Sequence, residues 1–316
     1  MQRWYISFHG GEGPDTWNNI HVFDLDGIPM GKALDSRSLP EGLELRELRG
    51  FTVGPDGDLY VANAYKNESQ VLRFTGAPGA DGKHQFKEIF VEQHKSNPGL
   101  AHPFDVTFSP DGQIYVPSQD TNVVGRYYGP TAKEGAPGTP MPHPFALEAL
   151  DAADLLPGTF VPSHKHAKHG LRTVRRAIFG PDGDLYVADR DTDRVKRFDG
   201  DSGALHREYA DDALTKPIHL IFRPSDGVLL VGARDNDAVL AIDTASETFT
   251  TYIAPGAGGL NGPAGMAFGP DGKLYVASRI GKQILRFDSQ SGQPDATPFI
   301  ASLEDEPEFI VLMPAG

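Results

Sequence analysis

Residues 180–198 read GPDGDLYVADRDTDRVKRF, and this stretch decides the fold. It begins with a Pro-Asp-Gly turn, in which proline presets φ and glycine accepts positive φ, so that the chain reverses. The short apolar run LYVA follows, then a polar loop, then a second run, VKRF. The pattern predicts two antiparallel strands that enter and leave a charged loop.

The same pattern occurs five times. The copies cover residues 51–74, 106–128, 177–198, 220–243 and 266–288, with turn prolines at 55, 110, 181, 224 and 270. A weaker strand follows each copy: FKEIFVE, GTFVPS, LHREYA, FTTYIA and TPFIAS. Repeats of this period indicate modules, and four antiparallel strands in each module predict the blades of an all-β propeller.

The two ends of the chain supply one more blade. Residues 3–27 look like the second and third strands of a blade without a first, and residues 306–316 look like an isolated first strand. Pairing them closes a ring and protects two sheet edges. We therefore expect one six-bladed domain over 1–316, with blade 1 split between 3–45 and 306–316. A long insertion at 129–157 falls in blade 3.

Charge and composition exclude several classes of partner. The 316 residues carry a formal charge of −14 and no cysteine. Such a surface repels nucleic acid and anionic membranes, and a chain without cysteine has neither disulfides nor thiolate metal sites. If Met1 is the native start, we expect a cytoplasmic protein. We also expect it to act as a monomer.

The segment VADRDTDRVKRF closely resembles the NHL-type repeat of β-propellers. Over most of its length the chain is similar to six-bladed families that include the senescence-marker and gluconolactonase lactonases, the amidating lyases and the streptogramin lyases. GGEGPDTW, which contains Glu12, echoes a glutamate segment of the lactonases. The resemblance implies a ligand site at the axis, with a divalent metal such as calcium, magnesium or zinc.

The loops between second and third strands offer three arginines on the face where such propellers carry their sites. Arg190, Arg234 and Arg279 each come directly after the second strand of a blade. A guanidinium suits a carboxylate or phosphate. Arg190 and Arg234 have aspartates close by in sequence, so we expect them to brace blades. Arg279 has no acidic neighbour in sequence and is predicted to bind an anionic ligand.

The crossings between blades offer further candidates. Arg49 and Arg175 stand in the middle of a Pro-x-Gly-like theme, where we expect side chains to face a ligand. Asp105 and His219 replace the small residue of that theme. Bonding to a neighbouring blade would explain His219 equally well.

Acid–base chemistry near neutral pH points to histidine. His219 and His9 are the predicted general acid or base. Trp17 lies in the longest of the loops between second and third strands, and we expect it either to serve as an apolar platform for a ligand or to cap its own blade.

Two groups of residues are candidate metal ligands. His164, His166 and His169 are spaced so that they could bind zinc or copper if their loop folds around the ion, although the interleaved lysines also fit a solvated loop. The acidic candidates are Glu12 and Glu308.

Two functions remain open on this basis. The first is an enzyme acting on a small anionic molecule by lyase or hydrolase chemistry. The second is a non-catalytic sensor or interaction propeller. Charged and aromatic residues clustered at the site would favour the enzyme, and an exposed apolar patch on the outer rim would favour the second function.

Overall fold

The structure is a computed structural model that describes residues 2–10, 17–64, 68–144 and 155–314. Blade 1 contains β1 (Gln2–Phe8), β2 (His21–Phe23), β3 (Pro29–Lys32) and β23 (Pro307–Pro314). Blade 2 contains β4 (Leu48–Val53), β5 (Leu59–Asn63), β6 (Gln70–Phe74) and β7 (Phe86–Glu92). Blade 3 contains β8 (Thr107–Phe108), β9 (Ile114–Ser118), β10 (Val123–Tyr127) and β11 (Thr159–Val161).

The remaining strands follow the same plan. Blade 4 contains β12 (Val174–Phe179), β13 (Leu185–Asp189), β14 (Arg194–Phe198) and β15 (Leu205–Tyr209). Blade 5 contains β16 (Pro217–Phe222), β17 (Leu229–Ala233), β18 (Ala238–Asp243) and β19 (Thr248–Ile253). Blade 6 contains β20 (Pro263–Phe268), β21 (Leu274–Ser278) and β22 (Gln283–Phe287). The predicted fold class is confirmed: the protein is an all-β, six-bladed β-propeller.

The Pro-Asp-Gly turns reverse the chain as predicted. In blade 4, Gly183 has φ of +85°, a conformation that favours glycine. The turn aspartate Asp182 accepts a hydrogen bond of 2.7 Å from the Tyr186 hydroxyl, which lies inside the blade. The same bond recurs in blade 2, from Tyr60 to Asp56 at 3.0 Å, and in blade 6, from Tyr275 to Asp271 at 3.2 Å.

The C-terminal strand completes blade 1. β23 pairs antiparallel with β1, and Tyr5 lies opposite Val311. β1 also pairs with β2, so it is covered on both edges. The predicted pairing of the two ends of the chain is confirmed.

Two details refine the predicted strands. The segment TPFIAS forms only a bridge between Ile284 and Ile300 instead of a full fourth strand. Pro298 explains this in part, because proline has no N–H to donate to a ladder. The insertion at 129–157 does fall between the third and fourth strands of blade 3, and its first part pairs with β10 through Tyr127 and Pro140.

The chain forms two compact units of three blades each. Unit 1 is Met1–Arg49, Ala77–Gln85 and Asp211–Gly316, and it holds blades 1, 5 and 6. Unit 2 is Gly50–Gly76 and Phe86–Ala210, and it holds blades 2, 3 and 4 apart from the first residues of β4. The prediction of a single domain stays a prediction. Among the described residues no helix is long and apolar enough to cross a membrane.

Candidate functional site

A network of ion pairs in unit 1 joins residues from three distant parts of the sequence. Arg279, directly after β21, lies 2.8 Å from Glu306 and 2.9 Å from Glu308. Glu308 also lies 3.4 Å from Arg49, at the start of β4. The sequence prediction that Arg279 is left without an acidic partner is therefore wrong, because its partners come from the C-terminal segment.

Most of this network is shielded from water. The side chains of Glu308 and Arg49 are 4% and 7% exposed, whereas Glu306 is 31% exposed. The Arg279 Nε atom faces both glutamates without hydrogen-bond alignment. Removing charges from water has a large desolvation penalty, which imperfectly aligned ion pairs repay only in part. The contribution of these ion pairs to the stability of the fold therefore does not by itself account for the presence of the network.

His9 lies at the edge of the same network. Its backbone N–H donates to the carbonyl of Glu306 at 2.8 Å, and its own carbonyl accepts from Arg49 at 3.3 Å. Nδ1 of the ring lies 3.1 Å from the Gly10 carbonyl. A carbonyl can only accept, so Nδ1 carries the proton and Nε2 of the neutral ring has the free electron pair.

Arg234 differs from Arg279. It begins a short 3-10 turn after β17 and is half-buried. Within the described ranges, no acidic group lies within 4.0 Å of its guanidinium, despite Asp235 and Asp237 in the same loop. Asp237 instead accepts a hydrogen bond of 2.7 Å from the backbone N–H of Gly262. The expectation that Arg234 braces blades through these aspartates is wrong.

In the charged loop ADRDTD of blade 4, in unit 2, the aspartate that makes the closest contacts again bonds groups other than the arginine. In the described part of the chain, the one ion pair of Arg190 is a long contact of 3.9 Å to Asp191. The brace is Asp189, which accepts backbone hydrogen bonds from Arg172 and Thr173 at 3.0 and 2.9 Å. The buried ammonium of Lys196 lies 3.0 Å from Asp189 and supplies its counter-charge. Arg190 is thus not the main brace, contrary to the sequence prediction.

The crossing residues of unit 2 form a buried charged layer. Asp105 accepts from the N–H of Val106 at 2.8 Å and lies 3.5 Å from Arg176, which sequence reasoning did not select. Burial raises the pKa of Asp105 to about 6, although Arg176 and the Val106 N–H act in the opposite direction. Arg175 is buried over the Phe104 ring at 5.2 Å. These side chains pack against their neighbours, and their predicted role in binding a ligand stays a prediction.

Two other candidates are packed inside unit 1. His219 is 1% exposed and lies edge to face with Phe309 at 5.4 Å. Trp17 stacks on His21 at 4.3 Å and meets Phe8 at 4.7 Å, so it caps its own blade. The structure therefore favours a packing role for both. Of the two histidines predicted as general acid or base, His9 is the better placed.

The predicted metal ligands do not come together. Among the described residues, the one group of three side chains with ligand atoms within 4.8 Å of one another is Asp184, Asp199 and His206. His164, His166 and His169 form no such group, Glu308 is held by two arginines, and Glu12 lies outside the described residues. A metal held by the predicted set does not fit this arrangement.

The group around Asp184 could hold a metal ion, but blade 2 offers another explanation for it. Asp184 contacts Arg197 at 2.6 Å and His206 at 2.8 Å. In blade 2, Asp58 contacts Arg73 at 2.8 Å and Lys87 at 2.6 Å. Since an ammonium group cannot share a site with a metal, the common arrangement is an aspartate between an arginine and a second nitrogen-bearing side chain. His206 takes the place of the lysine.

Solved structures with this fold include enzymes and a protein complex. Virginiamycin B lyase from Staphylococcus aureus, with quinupristin, is 22% identical over 83% of this chain and 73% of that chain, with a TM-score of 0.53. The periplasmic gluconolactonase of Pseudomonas aeruginosa is 18% identical over 100% and 99% of the two chains, with a TM-score of 0.58. A chain of a nidogen/laminin complex is 13% identical over 100% and 99%, with a TM-score of 0.67.

At these identities the likeness establishes the fold and nothing finer. No known protein family matches the sequence, and no curated protein matches it significantly. The chain is similar in architecture to six-bladed propellers that include lyases and lactonases.

Proposed function

We propose that the protein is an enzyme that acts on a small anionic molecule by lyase or hydrolase chemistry, and that Arg234 binds the anion. One observation carries the proposal: Arg234 is a half-buried arginine without an acidic group within 4.0 Å in the described part of the chain. A partly desolvated guanidinium gains most from a ligand carboxylate or phosphate that approaches in two-pronged fashion.

His9 is the proposed general base. Its Nδ1 atom is held by the Gly10 carbonyl, which leaves the electron pair of Nε2 to accept a proton. In a lyase step that proton comes from a carbon beside an activating group, and in a hydrolase step it comes from the attacking water. The network of Arg49, Arg279 and Glu308 fixes the backbone on which His9 stands.

A substrate panel with three variants tests this function. Lactones, esters and β-substituted acids are incubated with the protein, and proton release or alkene absorbance is followed. Arg234→Ala should raise KM, and His9→Gln should lower kcat. Arg223→Ala, at the opposite end of the same blade, is the control and should keep both constants. Turnover that survives in Arg234→Ala and His9→Gln would refute the assignment.

A specific observation favours the second candidate function, a protein-interaction propeller. Leu25, Ile28 and Met30 are exposed on the outermost hairpin of blade 1. Exposed apolar side chains grouped in this way mark contact surfaces more often than isolated ones do. If the panel shows binding without turnover, and Ile28→Asp with Met30→Asp abolishes association with a partner protein, the interaction role is correct and the enzyme proposal is wrong.

A further inference from the structure

Ile280 is an exposed apolar side chain at the same strand ends as Arg234, Arg279 and His9. It follows Arg279 in the loop after β21 and is 46% exposed. The other exposed large apolar residues of the described chain lie elsewhere, on the outer hairpin of blade 1 and at Val53. A single exposed isoleucine is ordinary by itself. Whether Ile280 contributes to a ligand site depends on the residues that lie beside it.

Backbone contacts hold Ile280 in a fixed place. Its N–H donates to the Asn261 carbonyl at 3.1 Å. Gly262 lies directly against its side chain, because a Cβ atom added to that glycine would be 2.9 Å from Cγ1 of Ile280. Gly262 has φ of +64°, which further favours glycine at this position. The isoleucine is therefore an ordered apolar surface.

The same glycine connects Ile280 to the turn that carries Arg234. The N–H of Gly262 donates to Asp237 at 2.7 Å, and Asp237 ends the 3-10 turn that Arg234 begins. Gly262 thus contacts Ile280 of blade 6 on one side and the Arg234 turn of blade 5 on the other. Both belong to unit 1. Ile280 and the Arg234 turn therefore lie on either side of one crossing between blades 5 and 6.

Two other cations near Ile280 in sequence already have partners, and the ammonium of Lys282 donates to the Glu304 carbonyl at 3.0 Å. Arg279, the neighbour of Ile280 in sequence, is already matched by Glu306 and Glu308. We infer that the ligand of this site is an amphipathic acid, with a carboxylate for Arg234 and an aliphatic or aromatic portion that packs on Ile280. This inference rests on the proposed function. It favours such acids over polyhydroxylated sugar acids, whose hydroxyl groups would lose water against Ile280.

The inference is tested by measuring how affinity changes with the chain length of the acid. Each methylene group that becomes buried on binding is worth about fourfold in affinity. Acetate, butyrate, hexanoate and gluconate are titrated calorimetrically into the parent protein, Ile280→Asn, Arg234→Ala and the control Val53→Asn. For the parent and the control, affinity should rise from acetate to hexanoate, and gluconate should bind no better than acetate.

The variants separate this inference from the function on which it rests. Ile280→Asn should bind acetate like the parent but lose most of the gain with chain length, at an unchanged melting temperature. Arg234→Ala should lose binding of all four acids. If Ile280→Asn keeps the full gain, or if gluconate binds as tightly as hexanoate, the inference is wrong while the role of Arg234 stands. Acids that bind Arg234→Ala normally, or do not bind the parent at all, would refute the proposed function itself.

Discussion

Blades 5 and 6 each have an arginine directly after the second strand, but the two arginines differ in their acidic partners. Arg234 follows β17 in a loop rich in aspartate, yet no acid lies within 4.0 Å of it among the described residues. Arg279 follows β21 in a loop without acids, yet it contacts two glutamates at 2.8 and 2.9 Å. In the loop of blade 5, Asp237 bonds the backbone N–H of Gly262 instead of the guanidinium of Arg234. Charge pattern along the loop therefore does not predict which arginine is paired.

The largest expected effect comes from deleting the C-terminal segment that supplies both glutamate partners of Arg279. Deleting 306–316 takes away β23, so that β1 loses its partner along one edge. The deletion should cause aggregation or a far lower melting temperature, because it exposes strand edges and apolar surface. Thermal denaturation and size-exclusion chromatography measure this. Removing a similar number of residues from the insertion at 129–157 is the control, and a truncated protein that melts like the parent would contradict the prediction.

Single substitutions should separate the two arginines by stability. Arg279→Ala leaves Glu308, 4% exposed, with one guanidinium fewer, so it should lower the free energy of unfolding by about 3 kcal/mol. Arg234→Ala removes no ion pair among the described residues, so it should change the free energy of unfolding by less than about 0.5 kcal/mol. Urea denaturation of both variants is the measurement. Equal losses in the two variants would show that Arg234 has a structural partner after all.

Asp105 extends the comparison to a buried ion pair whose effect depends on pH. The folded pKa of about 6 lies above the ordinary value of an aspartate, so this group stabilises the fold at low pH and loses that contribution as pH rises through about 6. The loss amounts to at most about 3 kcal/mol. The difference in unfolding free energy between the parent and Asp105→Asn should therefore vary between pH 4 and 7. A constant difference over that range would rule out the raised pKa.

The smallest expected effect concerns Glu306, one of the two acidic partners of Arg279. Glu306 is the less buried partner of Arg279, with 31% of its side chain exposed, so Glu306→Gln should cost less than about 1 kcal/mol of stability. It should also give Arg279 spare capacity for an anion. Acetate affinity should rise a few-fold in this variant, measured by calorimetry. Unchanged affinity would mean that Glu308 alone saturates Arg279.

Much of the fold could be read from short segments. Each Pro-Asp-Gly turn acts through its own residues, since proline limits φ and glycine accepts positive values such as +85° at Gly183. Short apolar runs then define the paired strands, and the unmatched ends of the chain predict their own pairing. The fourth strand of blade 6 is the exception, where Pro298 and a bridge at Ile300 replace a ladder.

The candidate site could be read only in part. Sequence position placed His9, Arg234 and Arg279 after second strands, and the structure keeps them there. Their partners were not visible, because Arg49 and Glu308 are 259 residues apart in sequence and meet at 3.4 Å. Arg176, the partner of Asp105, was overlooked since its neighbour Arg175 fitted the crossing theme better.

The sequence by itself determined the number of blades, most of the strands within them and the closing pair, because turn chemistry and short apolar runs act over a few residues. Only the tertiary structure decided which charges are matched. Glu306 and Glu308 reach Arg279 through the pairing of β23 with β1, and burial then strengthens each contact. The exposed Ile280 beside Gly262 has the same origin, since it depends on how two blades meet at a crossing.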